Sequence, residues 1–125
     1  MSNHGAKGGD LVGEAKKGEN YVWKILGWGG KNYSCIPIGP KWKPAFTKAI
    51  HYWVPSIAAS AITIYNGLEF KEWNEKALIT SLKDQSLRIL NFQDLNNVQE
   101  QIIFKDKIVR IRDSQVQNLE GRIYF

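Results

Sequence analysis

The sequence predicts an all-β fold of antiparallel meander sheets with long loops, and three observations carry that expectation. The second half of the 125-residue chain is a succession of short runs, β-branched or alternating, each closed by polar turn residues. The runs recur about every ten residues, the spacing of antiparallel meanders. The first half is rich in Gly, Asn, Trp and Pro and sustains neither a period of 2 nor one of 3.6, so it reads as long loops joining short strands.

Taken in order, residues 61–65 form the first strand, ended by Asn66-Gly67. A helical turn over 70–77 competes with a loop, and Trp73-Asn74 favours the loop. Residues 77–82 form the next strand, closed by Lys83-Asp84-Gln85, and residues 87–92 the one after, closed by the turn chemistry of 94–97. Strands over 98–104 and 107–112 follow, and Glu120-Gly121 makes a hairpin-like turn feeding a strand over 122–125. Periodicity alone leaves a sandwich, a barrel and a propeller open, and no clean internal repeat decides among them.

Composition narrows the function classes. Hydrophobic residues make up 43% and charged residues 23%, which suits a soluble globular protein of one-domain size rather than a disordered tail or a membrane protein. The longest apolar stretch, 54–65, is interrupted by Pro55, Ser56, Ser60 and Thr63 and falls short of a bilayer span. The Gly-rich, polar start of the chain lacks the apolar core of a secretory signal. Cys35 is the one cysteine, and His4 and His51 lie far apart, so no zinc spacing is present. The net charge of +5 is spread over positions such as Lys7, Lys24, Lys41, Lys71, Lys105 and Arg122. That dispersion reads as a solvated basic surface and not as a nucleic-acid interface.

Four segments, in order, carry a family resemblance. The first is His4-Gly5-Ala6-Lys7-Gly8-Gly9-Asp10, similar to H-G-P-R/K-G-G-D-E, with Gly18-Glu19-Asn20-Tyr21-Val22-Trp23 after it, similar to G-x-N-Y-G-W. The second is Tyr52-Trp53-Val54-Pro55-Ser56-Ile57-Ala58-Ala59-Ser60, similar to Y-W-x-P-S-I-A-P-S. The third is Phe70-Lys71-Glu72-Trp73 followed by Ser81-Leu82-Lys83, like F-x-x-W and S-L-K. The fourth is Arg110-Ile111-Arg112-Asp113 with Gly121-Arg122-Ile123-Tyr124 after it, like R-I-R-D and G-x-I/L-Y. Together they resemble the glucose/sorbosone dehydrogenase family of pyrroloquinoline quinone (PQQ) enzymes.

The resemblance implies a partial six-bladed β-propeller. At roughly 40–50 residues per blade the chain holds about two to three blades. Residues 1–125 would be the C-terminal part of such a propeller domain, incomplete at both ends, as from a truncated gene or fragmentary reading frame, with the upstream blades missing. The implied activity is oxidation of an aldose sugar or related alcohol by hydride transfer to the quinone. A non-catalytic propeller segment that binds a ligand or a protein is the alternative. Family members commonly work in the periplasm or outside the cell.

By the same resemblance, Ser56, Lys83, Arg110 and Arg112 are the cofactor-binding residues. PQQ carries three carboxylates, which Arg grips with paired hydrogen bonds and Lys with a compact charge; Arg110 and Arg112, two apart on the expected strand, share a face. The backbone carbonyls of Gly5 and Ala6 match those that hold the family's catalytic Ca2+, with Ala6 standing where the family has Pro. The carbonyl of Tyr21 belongs to a second, structural Ca2+ site, expected to be degraded because Leu11 replaces its carboxylate. Val22 and Ala59 are further departures. Trp23, Trp53 and Trp73 read as core or cavity lining. No catalytic residue is assigned in this chain, because the family's general-base histidine lies upstream and neither His4 nor His51 matches it.

Overall fold

A computed structural model describes residues 1–21, 25–117 and 120–125. Among them there is no α-helix, and the chain divides into two compact units, Met1–Ala59 and Ser60–Phe125. Val22 and Trp23 lie outside the described residues.

The first unit is a small three-stranded sheet carrying long loops. Strand β1 (Ser2–Asn3) pairs antiparallel with β2 (Asp10–Val12), which pairs antiparallel with β3 (His51–Trp53). Between β2 and β3 the described residues hold only an isolated bridge, Lys31 to Pro37. Pro37, Pro40 and Pro44 offer no backbone N–H to a ladder, and this stretch is held by scattered loop bonds such as Ile38 N to Gly30 O at 3.2 Å and Gly27 N to Pro40 O at 3.1 Å. Leu11, Leu26, Trp28 and Ala49 form its core, with Phe46 and Tyr52 packed against them.

The second unit is built on a meander. Its sheet has the order β4 (Ala59–Ile64), β5 (Ala77–Ser81), β6 (Ser86–Asn91), β7 (Gln99–Lys105), and the β5–β6 and β6–β7 pairs are antiparallel. Every residue of β5 and all but the last of β6 are buried, whereas β7 is largely exposed. The central strands are apolar and small residues apart from Arg88 and the terminal Asn91 of β6, and the edge strand carries Gln, Glu and Lys, which discourage further pairing. Tyr65, Leu78, Leu87 and Ile89 form the core, flanked by Phe70, Trp73, Phe104 and Ile123. The competition over 70–77 resolves to a single 3-10 turn, Lys71–Trp73. The expected hairpin is present as β8 (Gln115–Val116) and β9 (Ile123–Tyr124), with Gly121 at φ +86 in the connection.

One expected element is absent. Residues 107–112 are not a strand. Asp106 takes a positive φ of 57 and the chain turns away from the ladder after β7. Side chains of β4 then hold the segment: Ser60 Oγ donates to the Ile111 carbonyl at 2.7 Å and Thr63 Oγ1 to the Ser114 carbonyl at 2.8 Å. Hydroxyls do there what a neighbouring backbone does in a sheet.

Candidate functional site

In the first unit the Gly5–Gly9 loop is set by backbone crowding. A Cβ on Gly30 would fall 2.0 Å from the Gly8 carbonyl oxygen, and Gly9 sits at φ +83 with Gly27 O against its missing side chain. Only glycine fits such an approach. The loop is tied down by Asp10, whose carboxylate is fully buried. Oδ1 accepts from the Gly5 N–H at 2.7 Å; Oδ2 accepts from Ser56 Oγ at 2.9 Å, Ile57 N at 3.0 Å and Ala59 N at 3.1 Å. Four donors on one carboxylate meet the cost of burying its charge.

Asp10 thus brings Gly5 and Ser56 to one place. The Ser56 hydroxyl gives its proton to Asp10 and accepts from Ala58 N at 3.1 Å, so toward a further ligand it has acceptor capacity only. The carbonyl oxygens of Gly5 and Ala6 accept no hydrogen bond among the described residues. Uncommitted carbonyls are hard oxygen donors that suit Ca2+, and no group of three His, Cys, Asp or Glu is gathered among the described residues. Tyr21 is half-buried with its hydroxyl unpartnered, and Leu11 is locked in the core at 1% exposure. Leu11 supplies no oxygen donor from its side chain. Nearby, Lys7 Nζ donates to Cys35 Sγ at 3.0 Å and holds that exposed thiol below its usual pKa.

In the second unit Lys83 lies in the β5–β6 turn, exposed. Arg110 and Arg112 are exposed on either side of buried Ile111, in a segment that is not the strand on which a shared face is expected. None of the three forms an ion pair among the described residues. An apolar cleft of about 500 Å³ is lined by Phe70, Trp73, Leu87, Phe104, Ile123 and Phe125 among others, and the three cations are not part of its wall. Trp73 stacks on Phe70 at 4.2 Å in this cleft, whereas Trp53 is buried in the first unit, edge-on to His51.

Below Lys83 is a buried polar network that the sequence did not announce. Asp84 Oδ1 accepts from the hydroxyls of Ser81 and Ser86, the latter at 2.8 Å, and Oδ2 accepts from Arg88. Arg88 Nε also donates to Ser86 Oγ at 2.9 Å and Nη1 to Glu100 Oε1 at 2.6 Å. Burial alone would raise Asp84, but the hydrogen bonds from Ser81, Ser86 and Arg88 outweigh it and hold the carboxyl below its ordinary range. Burial would likewise lower Arg88, and its bonds to Glu100 and Asp84 push it higher. Asp10 and Arg88 are, with Asp84, residues to which sequence reasoning assigns no role in a site. Their one local signal is a charge set among residues with strand character: Asp10 before Leu11-Val12, Arg88 within Leu87-Arg88-Ile89.

The chain is similar to known proteins along its length. The family model described as glucose / sorbosone dehydrogenase matches residues 1–125. Aldose sugar dehydrogenase YliI of Escherichia coli (strain K12) is 32% identical over 117 residues, 90% of this chain and 31% of that protein. The protein slr1608 of Synechocystis sp. (strain ATCC 27184 / PCC 6803 / Kazusa) is 32% identical over 127 aligned positions, 98% of this chain and 30% of that one. A crystal structure of a glucose dehydrogenase superposes with a TM-score of 0.86 at 29% identity, covering 98% of this chain and 36% of the other. The soluble aldose sugar dehydrogenase from Escherichia coli, in the apo form, does so with a TM-score of 0.85 at 31% identity, with the same coverage. The chain spans about a third of the length of the curated relatives it matches. Its all-β sheets are those of a partial β-propeller.

Proposed function

The chain belongs to the glucose/sorbosone dehydrogenase family, and from that premise we propose that it is the C-terminal part of a quinoprotein propeller that oxidises an aldose sugar or related alcohol. The observation that carries the reading is a contrast within the second unit. Arg88 is spent on Asp84 and Glu100, whereas Lys83, Arg110 and Arg112 face solvent with no carboxylate partner among the described residues. Unpaired cations at the family's positions suit the three carboxylates of PQQ. When bound, the ortho-quinone supplies the two-electron acceptor for the hydride of the sugar.

The residues of this chain would bind and orient. Arg110 and Arg112 would clamp carboxylates, and Lys83 would place its ammonium on a carboxylate or a quinone oxygen. The carbonyls of Gly5 and Ala6 would hold Ca2+. Ser56, its proton committed to Asp10, would organise the carbonyl loop. The base that takes the hydroxyl proton of the sugar would come from the part of the family's length that this chain does not span, as would the remaining blades. A periplasmic or extracellular location, and the absence of a nucleic-acid partner, belong to the same reading.

The test is titration of PQQ into the full chain with and without calcium, followed by equilibrium dialysis. Replacing Lys83 by Ala, or Arg110 and Arg112 together by Gln, is expected to weaken binding about tenfold, the loss of a charge-assisted hydrogen bond. Unchanged affinity in both variants would rule the reading out. One observation favours binding without turnover: His4 is exposed in the carbonyl loop and His51 sits edge-on to Trp53, and neither matches the family's base. Dye reduction with glucose separates the two readings, since a chain that binds PQQ yet never reduces dye is a binding segment.

A further inference from the structure

Resting on that reading of Lys83, we infer that Asp84 and Arg88 are positioning residues, which hold the β5–β6 turn rigid and leave the Lys83 ammonium unclaimed for an anionic cofactor. An exposed four-residue connection bearing a lysine is ordinarily among the looser parts of a sheet. Here it is fastened from beneath. Ser81 and Ser86, both fully buried, bracket the turn, and Ser86 N donates to Ser81 Oγ at 3.0 Å. Asp84 turns inward and takes the hydroxyls of both serines, while Gln85, at φ +49, gives its carbonyl to Asp106 N at 3.1 Å. Lys83 is the residue of the turn left pointing out.

The second part of the argument is electrostatic. Asp84 is the neighbour of Lys83 in sequence and would be its natural partner in a flexible turn. Arg88 is buried to 7% exposure and needs a counter-charge. It takes Asp84 on one side of its fork and Glu100 on the other, so the carboxylate beside Lys83 is already occupied. A guanidinium holds the two carboxylates through separate nitrogens of a planar fork, a geometry that the single nitrogen of a lysine does not reproduce.

The experiment uses the full chain and two readouts. Backbone hydrogen exchange of residues 82–85 is compared with that of β5 and β6, and PQQ affinity is measured by dialysis. Arg88→Gln is expected to speed exchange of the turn about tenfold or more relative to the strands and to weaken PQQ severalfold. In a Lys83→Ala background the same substitution is expected to cost no further affinity, because the network acts through that lysine. An equal loss with and without Lys83, or a turn whose exchange does not change, would overturn the inference. Should Arg88→Gln fail to give a cooperative melt, Asp84→Asn, which keeps the shape of the side chain, is read in the same two assays. If Lys83→Ala leaves PQQ binding intact, the cofactor reading fails on its own, and the exchange of the turn still decides whether the network sets it.

Discussion

Asp10 shows how much one buried carboxylate can organise. An amide in its place presents one acceptor oxygen where the carboxylate presents two, so Asp10→Asn must turn an NH2 toward either the Gly5 N–H or the three donors at Oδ2. The expected cost is about 2 kcal/mol, seen as a lower urea midpoint by far-UV circular dichroism. Tyr65 is a second case. Its hydroxyl donates to the Gly121 carbonyl at 2.8 Å and accepts from Phe70 N at 3.1 Å, so Tyr65→Phe strands two groups and is expected to cost about 1–3 kcal/mol in the same measurement. Cys35 gives a prediction of reactivity. The thiolate is the nucleophile and Lys7 lowers its pKa, so alkylation by iodoacetamide near neutral pH is expected to slow severalfold in Lys7→Ala. An unchanged rate would show that the contact at 3.0 Å does not govern the thiol.

At the scale of elements, the β5–β6 pair carries a pH dependence. The Asp84 carboxyl lies below its unfolded value of about 3.9. As pH falls through that interval the unfolded chain binds the proton first, so the stability Asp84 supplies is complete above about pH 4 and drains away below it. Asp84→Asn is therefore expected to be less stable than the parent at neutral pH and to lose less on acidification, as melting temperatures at about pH 6 and about pH 3 would show. A variant that loses as much as the parent would exclude Asp84 as the source. The strands of this sheet were legible because their apolar and β-branched runs are local, and all four expected runs of the meander appear within a residue or two of their expected bounds. The run at 107–112 looked the same by composition. It fails to be a strand because a ladder needs a partner backbone, and there the Ser60 hydroxyl takes the Ile111 carbonyl, with Thr63 on the Ser114 carbonyl just beyond.

For the whole molecule, the proposed binding rests on three solvent-facing cations in a chain of net charge +5. Exposed charges are screened by salt, so PQQ affinity is expected to fall severalfold between about 50 mM and about 500 mM NaCl. Affinity indifferent to salt would point to the apolar cleft and away from the cations. The sequence by itself determined the all-β class, the meander, the family through its four ordered motifs, and the positions of the candidate residues, since each of these is written in short contiguous strings. Only the tertiary structure decided which charges are buried and what each is spent on. The donors that satisfy Asp10 Oδ2 arrive from 46 to 49 residues away, and Arg88 meets Glu100 across a strand pair. Burial and pairing of a charge are properties of the neighbours that folding brings to it, and no local string records them.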